Sequence, residues 1–183
     1  MNHSTMKRWV YFIVALALYM TVHEFFHAFM SALFHEFAEI RFHWYGPEVI
    51  FLTPVEERSP GIQWFFISGI SNVVTMAIGY LLYSFRRKII ALESLLLKNI
   101  LFYVAVVFLL FDAVNLSLGP FLYGSDACGI ATGLNVKPWI IQALFGIILL
   151  INRELIVILL DCYGIVSRHI LFRSWYRKRT TDA

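Results

Sequence analysis

Two histidines and a glutamate lie close together in the first part of the chain, in the pentapeptide His23-Glu24-Phe25-Phe26-His27. On an α-helix, residues four apart share one face, so both imidazoles can reach a single zinc ion. Glu24 lies on the adjoining flank, where a carboxylate can act as general base toward a water activated by that ion. The pentapeptide therefore predicts a zinc site with His23 and His27 as ligands and Glu24 as the catalytic base.

The surroundings of this pentapeptide are apolar. It lies within the run Trp9–Phe34, which is long enough to cross a bilayer as a helix. Imidazoles near the end of such a helix could simply lie among lipid headgroups, but a carboxylate at membrane depth is costly and such groups usually serve a function. The context thus favours a metal site over a chance occurrence of the motif.

The composition places the chain among integral membrane proteins. Of its 183 residues, 60% are hydrophobic and 15% charged, and the mean hydropathy is +0.71. We expect an all-α polytopic membrane protein, forming a single domain over residues 1–183, with four transmembrane helices at Trp9–Phe34, Ile62–Phe85, Leu95–Leu118 and Trp139–Leu160. Asn152, Arg153 and Glu154 interrupt the last run, which is either one tilted span or a shorter span followed by an interfacial helix reaching about Trp175.

The basic residues predict the orientation of these spans. Eleven of the 15 Lys and Arg residues precede the first span, lie between the second and third or in the first turn of the third, or follow the fourth: Lys7, Arg8, Arg86, Arg87, Lys88, Lys98, Arg168, Arg173, Arg177, Lys178 and Arg179. The positive-inside rule then puts both termini in the cytoplasm of a multi-pass protein, in the cell membrane. The net charge of +3 is accounted for by this bias and does not indicate nucleic acid, while the basic tail is expected to lie against anionic headgroups of the bilayer.

The segment between the first two spans has the pattern of a small membrane-associated β-hairpin. Apolar and polar residues alternate from Ile40 to Trp44, Tyr45-Gly46-Pro47 is a turn signal, and a short apolar run follows at 49–52. Such a hairpin could pair its free edge with an extended substrate segment, or it could be a plain structural loop. The sequence leaves both interpretations open.

A catalytic zinc usually has three protein ligands, so one is missing from the pentapeptide. Asp126 is the strongest candidate: Gly119 and Pro120 end the third span, Gly124 and Ser125 predict a turn, and Asp126 begins a short helix rich in small residues. His23 lies about 21 Å along a first span of roughly 39 Å, so both sites are expected in the same half of the membrane. Asp126 could instead be only the N-cap of its helix, and the competing ligands are Asp112, His35 and His43.

Taken together, these elements resemble the site-2 protease family of intramembrane zinc metalloproteases. The resemblance covers roughly residues 9–131: the histidine pair in a spanning helix, the hairpin-like loop, Ser68-Gly69-Ile70-Ser71-Asn72 in the second span, and an Asn, Pro and Asp in order at 115, 120 and 126. It implies that His23, His27 and Asp126 are ligands, that Glu24 is the base, and that Asn72 and Asn115 line a substrate channel. The chain departs from the family pattern at Ile70, which replaces a proline, at Ala127, which replaces a glycine, and in the spacings before and after Pro120.

We therefore expect an intramembrane zinc endopeptidase that cuts a membrane-protein or peptide substrate within or near a transmembrane segment. One alternative is a non-catalytic membrane scaffold or transport protein whose metal site is structural or vestigial. A second is a membrane hydrolase that acts on a non-peptide substrate.

Overall fold

The computed structural model describes residues 3–44, 46–121, 126–165 and 169–175. Within these ranges the helices and strands are α1 (His3–Leu33), β1 (Phe37–His43), β2 (Gly46–Phe51), α2 (Ile62–Ser84), α3 (Arg86–Ile90), α4 (Leu95–Leu118), α5 (Asp126–Leu134) and α6 (Pro138–Cys162). Short 3-10 turns occur at Val55–Glu57, Gly119–Phe121 and Ile170–Phe172.

Four of the helices are long and apolar enough to cross a membrane: Thr5–Leu33 in α1, Ile62–Ser84 as α2, Leu95–Phe121 from α4 into the following turn, and Pro138–Cys162 as α6. The predicted architecture of four transmembrane helices with a small antiparallel hairpin after the first is confirmed. Large apolar side chains such as Ile13, Phe25 and Phe29 remain exposed along α1. In a bilayer these side chains contact lipid, so their exposure carries no penalty there.

The polar interruption in α6 does not break the helix, because its side chains find partners. Asn152 donates to the Leu109 carbonyl at 2.6 Å and accepts from the Tyr80 hydroxyl at 2.7 Å. Arg153 and Glu154 pair with each other at 2.7 Å. The segment is therefore one continuous helix through these residues.

The predicted alternative, a helix continuing to about Trp175, is wrong. The last spanning helix ends at Cys162, and the described part of the tail folds back so that Arg153 donates to the Leu171 carbonyl at 2.7 Å. Because the chain folds back after α6, the Leu171 carbonyl can accept a hydrogen bond from the Arg153 guanidinium. A helix that continued straight past Cys162 would carry this carbonyl away from Arg153. The basic residues Arg168, Arg177, Lys178 and Arg179 lie outside the described residues.

The centre of the bundle is α4, which packs against α1, α2 and α6. Its approach to α2 depends on Gly79, where an added Cβ would lie 3.0 Å from the backbone nitrogen of Leu109. On the other side, Ala15 and Tyr19 of α1 pack against Phe108 and its neighbours in α4. This packing turns the histidine face of α1 toward α2 and α4.

Two glycines, four residues apart, bring α5 against α2. A Cβ at Gly133 would lie 2.1 Å from the backbone nitrogen of Phe65, and one at Gly129 would lie 1.9 Å from Ser68 Oγ. Small residues at this spacing let two helix backbones approach closely. The helix begins at Asp126 as predicted, and its packing carries that residue toward α1; the predicted turn at Gly124 and Ser125 lies outside the described residues.

The hairpin rests on α1 through its second strand. Gly46 has φ of 138°, and a Cβ there would lie 1.7 Å from Met20 Cε. Gly46 and Pro47 already belong to β2, opposite His43 and Phe42, so the predicted turn position is wrong for both of them. The positive φ of Gly46 is a backbone conformation that residues with a Cβ rarely adopt, and β2 begins at this glycine, inside the predicted turn. Tyr45 of the predicted turn lies outside the described residues.

Candidate metal centre

The two histidines of α1 point into the bundle side by side. The side chains are buried, at 6% exposure for His23 and 5% for His27. Their Nε2 atoms lie 3.0 Å apart. The helical spacing of four thus brings two potential ligand atoms together at a buried site.

Helix α5 supplies the carboxylate. Asp126 places one oxygen 3.3 Å from His23 Nε2 and the other 3.3 Å from His27 Nε2. Burial raises the pKa of Asp126, but the His27 and His23 imidazoles outweigh it and hold the pKa below its ordinary value. An ionised carboxylate facing two ring nitrogens is the protonation state that a metal ligand requires.

The three groups fit a zinc ion. One ligand atom from each of His23, His27 and Asp126 lies within 4.8 Å of the other two. A tetrahedral ion with bonds of about 2.0–2.1 Å separates its ligand atoms by roughly 3.3 Å, close to the distances found here. Two imidazole nitrogens and one carboxylate oxygen are also a donor set that zinc takes in catalytic sites. In the described part of the chain no other group of His, Cys, Asp and Glu residues has this arrangement.

The opposite edges of the imidazoles are also engaged. His27 Nδ1 lies 2.7 Å from the Ile67 carbonyl oxygen, a backbone acceptor on α2. A carbonyl at that position requires the proton on Nδ1 and leaves the Nε2 lone pair for a metal. His23 Nδ1 lies 3.2 Å from Asp112 Oδ1, although its N–H direction falls short of hydrogen-bond geometry.

Asp112, the competing third-ligand candidate, therefore lies behind His23 and not beside Asp126. It is completely buried in α4. It accepts a hydrogen bond from the Tyr19 hydroxyl at 2.7 Å and another from the Thr75 hydroxyl. A carboxylate that contacts the far nitrogen of a ligand histidine orients the ring and raises its basicity.

The other two competing histidines lie away from the cluster. His35 is exposed just beyond the end of α1, with φ of 59°. His43 belongs to the hairpin, where its Nε2 lies 3.0 Å from Glu48. Neither belongs to the group that could hold a metal.

Both predicted substrate-channel asparagines contact Asp126. The Asn72 amide donates to Asp126 Oδ2 at 3.1 Å, and the Asn115 amide donates to the same oxygen at 3.3 Å. These bonds hold the carboxylate in the orientation that faces the imidazoles. Contact of either asparagine with a substrate stays a prediction.

The proposed base is held by the hairpin. Glu24 is half-buried, and its Oε2 accepts a hydrogen bond from the Val49 backbone N–H at 3.0 Å. Its Oε1 has no hydrogen-bond partner among the described residues, so it is the oxygen available to a water molecule. The hairpin thus contributes directly to the site through β2.

Sequence reasoning missed several of these neighbours. The roles of Asp112 behind His23, of the Val49 N–H, and of Ser71, whose hydroxyl lies 3.0 Å from His27 Nε2, were not foreseen. One signal was available: Asp112 is an ionisable residue inside a span, which calls for a partner. Serines and backbone N–H groups carry no comparable signal.

The site is thus defined by its own geometry, with ligand atoms from α1 and α5, supporting groups from α2 and α4, and a glutamate held by β2. Comparison of the chain with protein-family models, with curated proteins and with solved structures found no match.

Proposed function

We propose that this protein is an intramembrane zinc metalloprotease, which hydrolyses a peptide bond within or near a transmembrane segment of a membrane-protein substrate. The observation that carries the proposal is the cluster of His23, His27 and Asp126 ligand atoms within 4.8 Å of one another. The two histidines and the neighbouring Glu24 lie on a helix long enough to span a membrane. A zinc ion held there supplies Lewis-acid activation of water and of the scissile carbonyl group.

Glu24 acts as the general base. Its free oxygen accepts the proton of the attacking water, and the protonated carboxyl then delivers that proton to the leaving amine. The Val49 N–H, at 3.0 Å from the other oxygen, keeps the carboxylate oriented through both transfers. A positioned base of this kind contributes about 10²- to 10⁴-fold in rate.

The interior around the ligands is polar enough to admit water. Ser68, Ser71, Asn72 and Thr75 form a buried polar stripe on α2. Asn72 Oδ1 is buried without a hydrogen-bond partner among the described residues. A buried acceptor in that state calls for a water or a substrate N–H group, which is consistent with the substrate contact predicted for Asn72.

A non-catalytic scaffold or transport protein with a structural metal is the second candidate. Structural zinc sites usually close the coordination shell with four protein ligands, whereas catalytic sites leave one position for water. The group found among the described residues has three members. This count favours the catalytic interpretation.

Metal analysis with matched variants tests the proposal. Purified protein should contain about one zinc per chain, lost on chelation and in His27→Ala and Asp126→Ala, and kept in His43→Ala, which changes a histidine outside the cluster. Wild-type protein should hydrolyse peptides containing apolar segments, and Glu24→Gln should keep zinc while losing about 10²-fold or more in rate. A zinc-loaded Glu24→Gln variant with normal turnover would refute the assignment of the base, and protein that binds zinc but never hydrolyses a peptide would favour the scaffold or the non-peptide hydrolase.

We also propose that the protein lies in the cell membrane with both termini in the cytoplasm. The support is the distribution of Lys and Arg described above, which places the hairpin and α5 on the opposite side.

A further inference from the structure

An arginine lies near the candidate metal centre. Arg58 follows the hairpin, just before α2, and its side chain is half-buried. Its Nε donates to the Thr53 carbonyl at 3.3 Å. In the described part of the chain no carboxylate lies within ion-pair distance of its guanidinium.

Two aromatic rings lie against this guanidinium. Its Cζ lies 4.2 Å from the centre of the Trp64 ring and 5.1 Å from that of Phe51. Trp64 itself is fully buried and contacts Phe51 edge to face, at 6.2 Å between centroids. Cation–π contacts hold an arginine in place while its N–H groups stay available.

The guanidinium lies at the rim of the metal centre. The Phe51 ring that it covers is 6.2 Å from the His27 ring, centre to centre. On the other side, Arg58 Nη1 is 3.7 Å from the position that a Cβ on Gly129 would take, one helical turn after Asp126. Arg58 therefore lies between the hairpin and the first turn of α5, separated from His27 by the Phe51 ring and close to the helical turn that begins with Asp126.

The charge of this arginine is only partly balanced. Burial lowers the pKa of Arg58, and the carboxylates of Glu36, Asp126 and Glu56 act in the opposite direction from beyond ion-pair distance. Glu36 accepts from the Thr53 N–H at 3.1 Å and Asp126 faces the imidazoles, whereas Glu56 is an exposed residue whose charge is screened by solvent. Since guanidinium stays protonated in proteins, a half-buried one without a direct anion is suited to receive one.

We propose that Arg58 binds a carboxylate of the substrate close to the scissile bond. The planar fork of guanidinium N–H groups matches a carboxylate in two-point contact. The carboxylate is either an Asp or Glu side chain within a few residues of the cut or a free C-terminus. The inference rests on the proposed function for the identity of the ligand, and it adds to it a preference for acidic substrates.

Peptide capture separates this inference from catalysis. A synthetic library of apolar segments, amidated at the C-terminus and carrying Asp, Asn or Lys at each position in turn, is bound to zinc-loaded Glu24→Gln protein and quantified by mass spectrometry. We expect Asp to be retained roughly tenfold better than Asn at one or two positions, the size of a charge-assisted hydrogen bond. A second set with free C-termini distinguishes a terminal carboxylate, which would be retained without any Asp.

Substitution of the arginine completes the test. Arg58→Gln in the same background should remove the preference for acid, and Arg58→Lys, a point charge without the fork, should reduce it. Arg41→Gln is the matched control, because Arg41 is an exposed arginine on β1 that already pairs with Glu39. Absence of any preference for a carboxylate overturns the inference, as does a preference that survives Arg58→Gln. Should Arg58→Gln fail to fold, an undiminished preference in Arg58→Lys overturns it equally.

Hydrolysis of the same library by wild-type protein tests the proposed function independently. Cleavage without acid preference would leave the protease and discard the role of Arg58. If acidic peptides are captured preferentially but no peptide is cleaved, the carboxylate-binding role of Arg58 is supported and the protease function is refuted.

Discussion

The Val49 backbone N–H donates a hydrogen bond to Glu24 Oε2 at 3.0 Å and joins the hairpin to the proposed catalytic base. The two residues are 25 apart in the chain, one on β2 and the other on α1. This N–H is directed toward α1 and not toward β1. It therefore belongs to the edge of β2 that lies nearer to the site. The orientation of the base therefore depends on where the hairpin rests.

Removal of this single N–H should weaken catalysis without affecting the metal. We expect Val49→Pro to keep its zinc and to lose roughly 10- to 100-fold in kcat, because a hydrogen bond to a charged group is worth about 1.5–3 kcal/mol. Val49→Ala is the matched control, since it shortens the same buried side chain but retains the N–H. Hydrolysis rates and zinc content of the two variants check this, and a Val49→Pro rate equal to that of Val49→Ala would show that the bond is dispensable.

Asp112 should act on zinc through His23. Asp112→Asn replaces a carboxylate acceptor with an amide beside His23 Nδ1, and we expect zinc affinity to fall about 10- to 100-fold, as is typical when the partner of a ligand histidine is lost. Tyr19→Phe removes only one of the donors to Asp112, so it should have a smaller effect. Chelator competition measures the affinity.

A purely structural role for Asp112 would give a different result. In that case Asp112→Asn would lower Tm equally with and without zinc. If Asp112 instead positions His23, the rise in Tm that zinc produces should be smaller in Asp112→Asn than in wild type. The reason is that a ligand stabilises a protein less when it binds with lower affinity.

The part of the site that lies within one helix could be predicted from the sequence to the residue. The spacing of His23, Glu24 and His27 needs only the geometry of an α-helix. The burial of the two histidines depends on the packing of α1 against α2 and α4. The prediction of Asp126 needed one further inference, about the topology. It was that the third span ends in the same half of the membrane as the one expected to hold the histidines. Asp126 does lie beside the two histidines. The inference was possible because residues that end a helix, such as Gly119 and Pro120, can be recognised in a sequence.

The rest depends on contacts between distant segments, which a sequence does not display. Neither the approach of Val49 to Glu24 nor that of Arg58 to the first turn of α5 has a local pattern. The turn of the hairpin was misplaced because Gly46 and Pro47 pair with His43 and Phe42 of β1, and this cross-strand register is not visible in the Gly-Pro signal. Similarly, the polar residues at 152–154 left open whether the last span ends early. The helix continues because Asn152 finds hydrogen-bond partners in Tyr80 of α2 and Leu109 of α4.

The distribution of basic residues makes a prediction about orientation. Reporters fused after the tail and in the α3 region, which carries Arg86, Arg87 and Lys88, should read cytoplasmic, and a reporter between Glu56 and Pro60 should read external. Replacing the three basic residues of the α3 region with Gln provides the control, because it should weaken the bias without changing the apolar spans. An external tail would mean that the spans do not cross in the predicted order.

The close approach of α5 to α2 gives a prediction that links packing to the metal. A Cβ at Gly133 would lie 2.1 Å from the backbone nitrogen of Phe65, so Gly133→Ala must push α5 outward and carry Asp126 with it. We expect a loss of about 1–3 kcal/mol in stability, the usual cost of overpacking, together with a lower zinc affinity. Gly146→Ala on α6 is the matched control: nothing lies within 4 Å of its Cβ position, and alanine favours a helix over glycine by about 1 kcal/mol, so its Tm should equal or exceed that of wild type. Thermal unfolding and chelator competition on both variants decide the matter, and wild-type values for Gly133→Ala would show that this helix contact does not position the third ligand.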